Sequence, residues 1–170
     1  ILLNDGASYT NTNSGGFHIT DRLATLSGTG TFINGANGYL LYGGSNGNFT
    51  VTNFTASATG NTVEYNRTTT NQLIQPTTDA NNDYYNLIIN KADGNDATTN
   101  ADITINNQLT MTLGDIIMGG TDVILAPGAT IVGGNASSYI QENGGGNLIQ
   151  SYSAGGDPST LNLPMGDANV

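Results

Sequence analysis

The fold of this chain is decided by the stretch Ile103-Thr-Ile-Asn-Asn-Gln-Leu-Thr-Met-Thr-Leu-Gly-Asp-Ile-Ile-Met-Gly-Gly-Thr-Asp-Val-Ile-Leu125, in which short apolar runs alternate with polar corners. In the run that starts at Leu109, single threonines separate two leucines and a methionine, so these three side chains are predicted to share one buried side of a strand. The next runs start at Ile116 and Val123 and last three residues each. No run is long enough for a helix, so the stretch predicts very short strands between sharp turns.

The same pattern extends in both directions, and the whole chain, residues 1–170, is interpreted as one β-domain segment of a longer chain. Residues 61–150 are the regular part, and residues 151–170 are predicted to begin a following element. Residues 1–60 are richer in glycine and less regular. Their predicted strands are Phe17-Ile19, Leu23-Leu26, Thr31-Ile33, Tyr39-Tyr42 and Phe49-Val51.

Two all-β topologies fit short strands with frequent turns. In an antiparallel β-sandwich, Asn-Gly pairs form hairpin turns; these pairs are Asn34-Gly35, Asn37-Gly38, Asn46-Gly47 and Asn143-Gly144. In a parallel β-helix, or β-solenoid, the same residues form corners between stacked coils. Similar runs recur roughly one coil length apart, from Ile103 to Val123, from Leu109 to Ile131 and from Ile116 to Tyr139. This recurrence favours the β-solenoid, in which stacked asparagines and threonines form side-chain ladders.

Composition limits the classes of partner. The 170 residues carry only 9% charged residues and a formal net charge of −10, which repels nucleic acid and anionic membrane surfaces. No apolar run reaches the roughly 18 residues of a membrane-spanning helix, so no membrane insertion is expected. The chain has 24 glycines and no cysteine, which excludes disulfides and thiolate chemistry.

The residues from about 61 to 167 also carry a family resemblance. The strings that carry it are Val63-Glu-Tyr-Asn, Leu73-Ile-Gln-Pro, Tyr84-Tyr-Asn-Leu-Ile-Ile-Asn, Ile103 to Gly114, Val123 to Gly134, Ser138-Tyr-Ile and Leu163-Pro-Met-Gly-Asp. Together they resemble repeat modules of large secreted surface proteins and adhesins, exported by the type IX secretion pathway of gliding bacteria. The resemblance implies a right-handed parallel β-helix at the cell surface or outside the cell, with no catalytic residues.

The function expected is therefore a non-enzymatic structural or adhesive module of a secreted surface or filament protein. Its expected partners are other parts of its own long chain, and glycans or abiotic surfaces. A carbohydrate-binding or polysaccharide-cleaving β-helix is one alternative, which a groove lined by tyrosines and acids would favour. A self-assembling fibre subunit is another.

Calcium is the only cofactor that the sequence suggests. Asp79, Asn81 and Asp83 have the alternate oxygen ligands that open a calcium loop, although Tyr84 stands where the turn glycine belongs and Asn90 where a closing glutamate belongs. The alternative is an ordinary turn, with this loop and the nearby Asp93, Asp96 and Asp102 serving only as hydrophilic loop residues.

Overall fold

The computed structural model describes residues 1–21, 23–45, 49–92, 94–155 and 163–166, and these ranges form strands and turns without a helix. They contain no helix that is long and apolar enough to cross a membrane. The strands are β1 (Ser8–Asn11), β2 (Phe17–Ile19), β3 (Leu26–Asn34), β4 (Tyr39–Tyr42), β5 (Phe49–Thr55), β6 (Thr62–Tyr65), β7 (Gln72–Leu73), β8 (Asp83–Asn90), β9 (Ala97–Thr99), β10 (Ile103–Leu113), β11 (Ile116–Met118), β12 (Val123–Leu125), β13 (Thr130–Gly133), β14 (Ile140–Glu142), β15 (Leu148–Gln150) and β16 (Met165–Gly166).

The strands stack in parallel, one coil above the next, so the predicted β-solenoid is confirmed. Between named strands, all pairings of the described residues are parallel. Leu40 pairs with Phe17 and with Val63, each 23 residues away, and Leu109 pairs with Leu87 and with Ile131, each 22 residues away. One coil therefore takes about 22 or 23 residues along this side.

Three faces surround the interior. Face 1 contains β1, β3 and β5, and it continues through an Ala56–Tyr84 bridge into the first halves of β8 and β10, then β12 and β15. Face 2 contains β2, β4, β6, the second halves of β8 and β10, and β13. Face 3 contains β7, β9, β11, β14 and β16.

The antiparallel sandwich is wrong, because the Asn-Gly corners join strands that do not pair with each other. The chain passes from β3 to β4 through Asn37, which has a left-handed φ of 58°, yet β3 pairs with β1 and β5 while β4 pairs with β2 and β6. Asn46-Gly47 lies outside the described residues. The prediction that a following element begins in 151–170 stays a prediction, but β16 within it pairs with β14 of the solenoid.

The interior changes in character along the stack. In the first four coils aromatic rings pack in a continuous column, in which Phe54 lies 4.7 Å from Phe49, 6.1 Å from Phe32 and 6.2 Å from Tyr84, measured between ring centroids. From β10 onward the buried residues are aliphatic or methionine, including Ile103, Leu109, Ile116, Met118 and Val123. Burial of these side chains is the main favourable term for the fold.

A ladder of asparagine side chains runs along the corner between faces 1 and 2. Asn11 donates to Oδ1 of Asn34 over 2.8 Å, and Asn34 in turn donates to the Thr62 carbonyl of the next coil. Asn86 donates to the Asn61 carbonyl, and Asn107 donates to Oδ1 of Asn86. This ladder links five successive coils, and it satisfies corner backbone groups that would otherwise lose their hydrogen bonds.

Aspartates form ladders at the two corners that flank face 3. Before face 3, Oδ1 of Asp96 accepts from the Asp115 backbone N–H, and Oδ1 of Asp115 accepts from that of Tyr139. After face 3, Oδ1 of Asp102 accepts from the Asp122 N–H, and Asp122 accepts from Asn147. Asp96 and Asp102 are thus corner ligands of the neighbouring coil, a more specific role than that of hydrophilic loop residues.

Replacing a buried member of the asparagine ladder is expected to destabilise the solenoid. Asn34→Ala removes the acceptor of Asn11 and the donor to the Gly38 and Thr62 carbonyls, at a cost of about 2 kcal/mol, because buried polar partners lose their hydrogen bonds. Urea unfolding followed by circular dichroism measures the change. The exposed Asn100→Ala variant is the control and should stay within about 0.5 kcal/mol of the parent chain; equal stability of the two variants would contradict the ladder.

Candidate functional site

Two of the three basic residues are buried next to each other at the corner between faces 2 and 3. Tyr65 pairs with Ile89, 24 residues on, and Arg67 and Lys91 each follow this pair by two residues. The same step separates Gly43 from Arg67. Arg67 and Lys91 are therefore stacked by the winding of the chain, and their exposed fractions are 6% and 0%.

A glycine in the next coil leaves room for the lysine. Gly114 has a φ of +74°, and a Cβ at this position would lie 2.6 Å from Cβ of Lys91. Any other residue at position 114 would therefore both strain the backbone and displace the lysine.

Gln72, the first residue of face 3, holds this corner together. Its Nε2 donates to the carbonyls of Tyr42 and Gly44, at 3.0 and 2.9 Å. Its Oε1 accepts from the Arg67 backbone N–H and from Nζ of Lys91, at 2.9 and 2.7 Å. All four hydrogen-bonding positions of this buried amide are satisfied, so the side chain replaces the strand pairing that face 3 lacks on this side.

Burial and the neighbouring guanidinium disfavour the charged form of Lys91. Desolvation is the larger cause and Arg67 the second; Asp96 acts in the opposite direction, and the resulting pKa of Lys91 falls from 10.5 to about 7. Nζ also donates to the Thr70 carbonyl at 3.0 Å. The amine is thus held by two neutral acceptors, as a neutral amine near pH 7 can be.

The stability of the chain should therefore depend on pH through Lys91. Because the folded pKa is lowered, the unfolded state binds more protons between pH 7 and 10.5, so stability decreases as the pH falls towards 7 and is constant below it. The free energy of unfolding of the parent chain minus that of Lys91→Met should fall by up to about 1.4 kcal/mol per pH unit between pH 9.5 and 7.5. Urea titrations at each pH measure this difference, in which the tyrosines and carboxylates cancel; a constant difference would refute the assignment.

The predicted calcium loop lies at the turn before β8. Oδ2 of Asp79 accepts from the backbone N–H groups of Ala56 and Ser57, at 2.9 and 3.1 Å. Oδ1 of Asp83 is buried without a hydrogen-bond partner, and burial raises the pKa of this carboxyl, with a smaller contribution from Asp79. Asn81 is a hydrogen-bonding neighbour of Asp83.

This turn supplies fewer ligands than calcium requires. Calcium takes six to eight oxygens, whereas one oxygen of Asp79 already caps two backbone N–H groups. Within the described ranges, no group of three or more His, Cys, Asp or Glu side chains is placed to hold a metal. The calcium site at Asp79, Asn81 and Asp83 stays a prediction.

The carboxylates most relevant to carbohydrate chemistry are those of Asp96 and Asp115. They line a cleft of about 340 Å³ together with Tyr139. Burial raises the pKa of Asp115, as a general acid requires, while hydrogen bonds from Tyr139 oppose this shift. Both carboxylates also accept backbone N–H groups of the adjacent coil, which accounts for their position without catalysis.

The tyrosines do not form the groove that a glycan site would use. Tyr42, Tyr65 and Tyr84 are buried, with their rings in the aromatic column. The hydroxyls of Tyr65 and Tyr84 lie 3.2 Å apart, and Tyr65 accepts from the Gln75 N–H while Tyr84 donates to the Gln75 carbonyl. Tyr152 is exposed and Tyr85 half-buried. The three buried tyrosines are therefore core residues.

The cluster of Arg67, Gln72 and Lys91 was missed by sequence reasoning. The signal that could have found it is the spacing of 24 residues between the two cations, which equals the step from Val63 to Leu87 in the adjoining strands. Comparison of the chain with protein-family models, with curated proteins and with solved structures finds no match.

Proposed function

We propose that this chain is a non-enzymatic structural module of a large secreted cell-surface or filament protein. It acts there as a stiff spacer that holds other parts of its own long chain away from the cell. Its outer faces, rich in neutral amides and hydroxyls, give contacts of low specificity to glycans or abiotic surfaces. The resemblance to surface proteins of gliding bacteria supports this location.

The observation that carries the proposal is the unbroken stacking of the coils. On face 2 six strands follow one another in register, from β2 to β13. The asparagine ladder follows the same axis, and the aromatic column fills the interior of the first four coils. Such a body resists bending, because each coil is bonded to its neighbours through backbone and side chains.

The spacer role is tested by placing the whole chain between a surface anchor and a fluorescent reporter. Six strands at about 4.8 Å spacing predict a fixed rise of about 24 Å with a narrow distribution. A Gly/Ser linker of equal length has an r.m.s. end-to-end distance of roughly 65 to 80 Å and a broad distribution. Single-molecule energy transfer between anchor and reporter measures both, and a distribution as broad as that of the linker would contradict the spacer.

Catalysis is tested separately on the cleft that contains Asp96 and Asp115. The proposal predicts no release of reducing ends from neutral or acidic polysaccharides. Release that is lost in Asp115→Asn would replace the proposal with a polysaccharide-cleaving function.

A fibre subunit is the second candidate, because both ends of the stack expose apolar side chains. Ile1, Leu2 and Leu23 are exposed in the first coil, and Ile149 and Met165 in the last. Sedimentation of the isolated chain over a range of concentrations distinguishes the two functions. The spacer sediments as a monomer, whereas a fibre subunit forms assemblies that grow with concentration.

A further inference from the structure

The guanidinium of Arg67 is buried without a carboxylate partner among the described residues. Its Nε donates to the hydroxyl of Thr70 at 2.6 Å, and one Nη1–H donates to the Gly43 carbonyl at 3.3 Å. Both partners are neutral, although a buried charge is normally compensated by an opposite charge. The remaining N–H groups of Arg67 are available to an anion.

Arg67 also lines a cavity of about 200 Å³ at the corner of the coil. The other lining residues are Thr20, Gly43, Asn66, Thr68 and Thr69. Oδ1 of Asn66 is buried and has no hydrogen-bond partner. The cavity therefore combines a planar cation with an unused acceptor and several hydroxyl-bearing side chains.

We propose that this cavity binds the carboxylate of an acidic sugar of the uronate class. The guanidinium of Arg67 donates to both carboxylate oxygens, a geometry that a planar fork of N–H groups favours. A ring hydroxyl next to the carboxylate donates to Oδ1 of Asn66. Both groups that lack a partner in the chain are then satisfied by a single ligand.

The size of the cavity limits the ligand. Sites for drug-sized molecules measure roughly 300 to 1,000 Å³, so a cavity of about 200 Å³ takes one sugar unit or the acidic edge of a chain. The net charge of −10 disfavours long polyanions. The site is independent of the spacer role, because a single sugar bound at one corner needs no particular mechanics of the stack.

The test is titration of the whole chain with D-glucuronate, with D-glucose and acetate as comparison ligands, followed by NMR shifts of the Gly43 and Arg67 amides. Glucuronate should bind in the millimolar range, at least tenfold more tightly than acetate, and glucose should cause no shift. Equal binding of acetate and glucuronate would overturn the sugar assignment. The absence of any glucuronate shift would overturn the site.

Two variants separate binding from folding. Arg67→Gln should weaken glucuronate binding at least tenfold, but it can also disturb the corner. Asn66→Asp places a carboxylate across the cavity from the guanidinium, so the chain stays folded while binding falls at least tenfold. Asn100→Asp adds the same charge at an exposed position and should bind like the parent chain. Unchanged binding by Asn66→Asp would overturn the proposal.

Discussion

Phe54→Ala is expected to lower the free energy of unfolding by about 3 to 5 kcal/mol, the range for removing a buried aromatic ring. Phe54 is 1% exposed and contacts the rings of Phe32, Phe49 and Tyr84, which come from three different coils. Its removal leaves a cavity that the parallel backbone cannot close, because the coil spacing is fixed by hydrogen bonds. Urea unfolding followed by tyrosine fluorescence and circular dichroism measures the loss.

The matched control is Phe17→Ala, which deletes the same ring at a half-buried position in the first coil. Only one neighbouring coil packs against Phe17, so we expect roughly half the cost of Phe54→Ala. Equal costs for the two variants would contradict the position of Phe54 at the centre of the column.

Leu109→Ala and Leu113→Ala should differ strongly although both leucines lie on β10. Leu109 is fully buried, whereas Leu113 is 42% exposed. We expect a loss of about 2 to 4 kcal/mol for the first variant and less than about 1 kcal/mol for the second. Thermal or urea unfolding of both variants provides the comparison, and a similar cost at both positions would mean that β10 is a regular strand to its end.

The reason for this difference is an irregularity in β10. Met111 pairs with Ile89, but Leu113, two residues on, pairs with Asn90, only one residue on. The extra residue turns the side chain of Leu113 outward. The prediction that the leucines at 109 and 113 share the buried side with Met111 is therefore wrong for Leu113.

Coil length was predictable from the sequence to within one residue. The expected pairs of Ile103 with Val123 and of Leu109 with Ile131 are confirmed. Ile116 pairs with Ile140 rather than with Tyr139. Apolar identity locates a strand, but at the face 3 corner the register is set by Asp115, whose side chain accepts the Tyr139 N–H.

Polar strands were not predictable from apolar runs. Among the described strands, β1 has the sequence Ser-Tyr-Thr-Asn and β9 the sequence Ala-Thr-Thr. Both form because a neighbouring coil supplies a hydrogen-bonding edge, which local propensity does not indicate. The predicted strand Leu23-Leu26 is wrong at its start, since Leu23 is exposed and β3 begins at Leu26.

The candidate site was less predictable than the fold. Arg67 and Lys91 are separated along the chain, and only the coil step brings them together. Burial of a lysine beside an arginine also contradicts the usual preference of charged side chains for the surface. Knowledge of the winding was needed before either residue could be identified.

The central claim, coil-upon-coil winding, is tested most directly by distances between spin labels on face 2. His18, Thr110 and Val132 belong to one column of residues, because registered pairs connect them through Leu41, Glu64 and Ile88. The chain has no cysteine, so paired cysteine variants can be labelled specifically.

Labels at His18 and Thr110 should lie about 19 Å apart, and labels at His18 and Val132 about 24 Å apart, since each coil adds about 4.8 Å. Double electron–electron resonance measures both distances. A second distance equal to or shorter than the first would contradict the stacked winding.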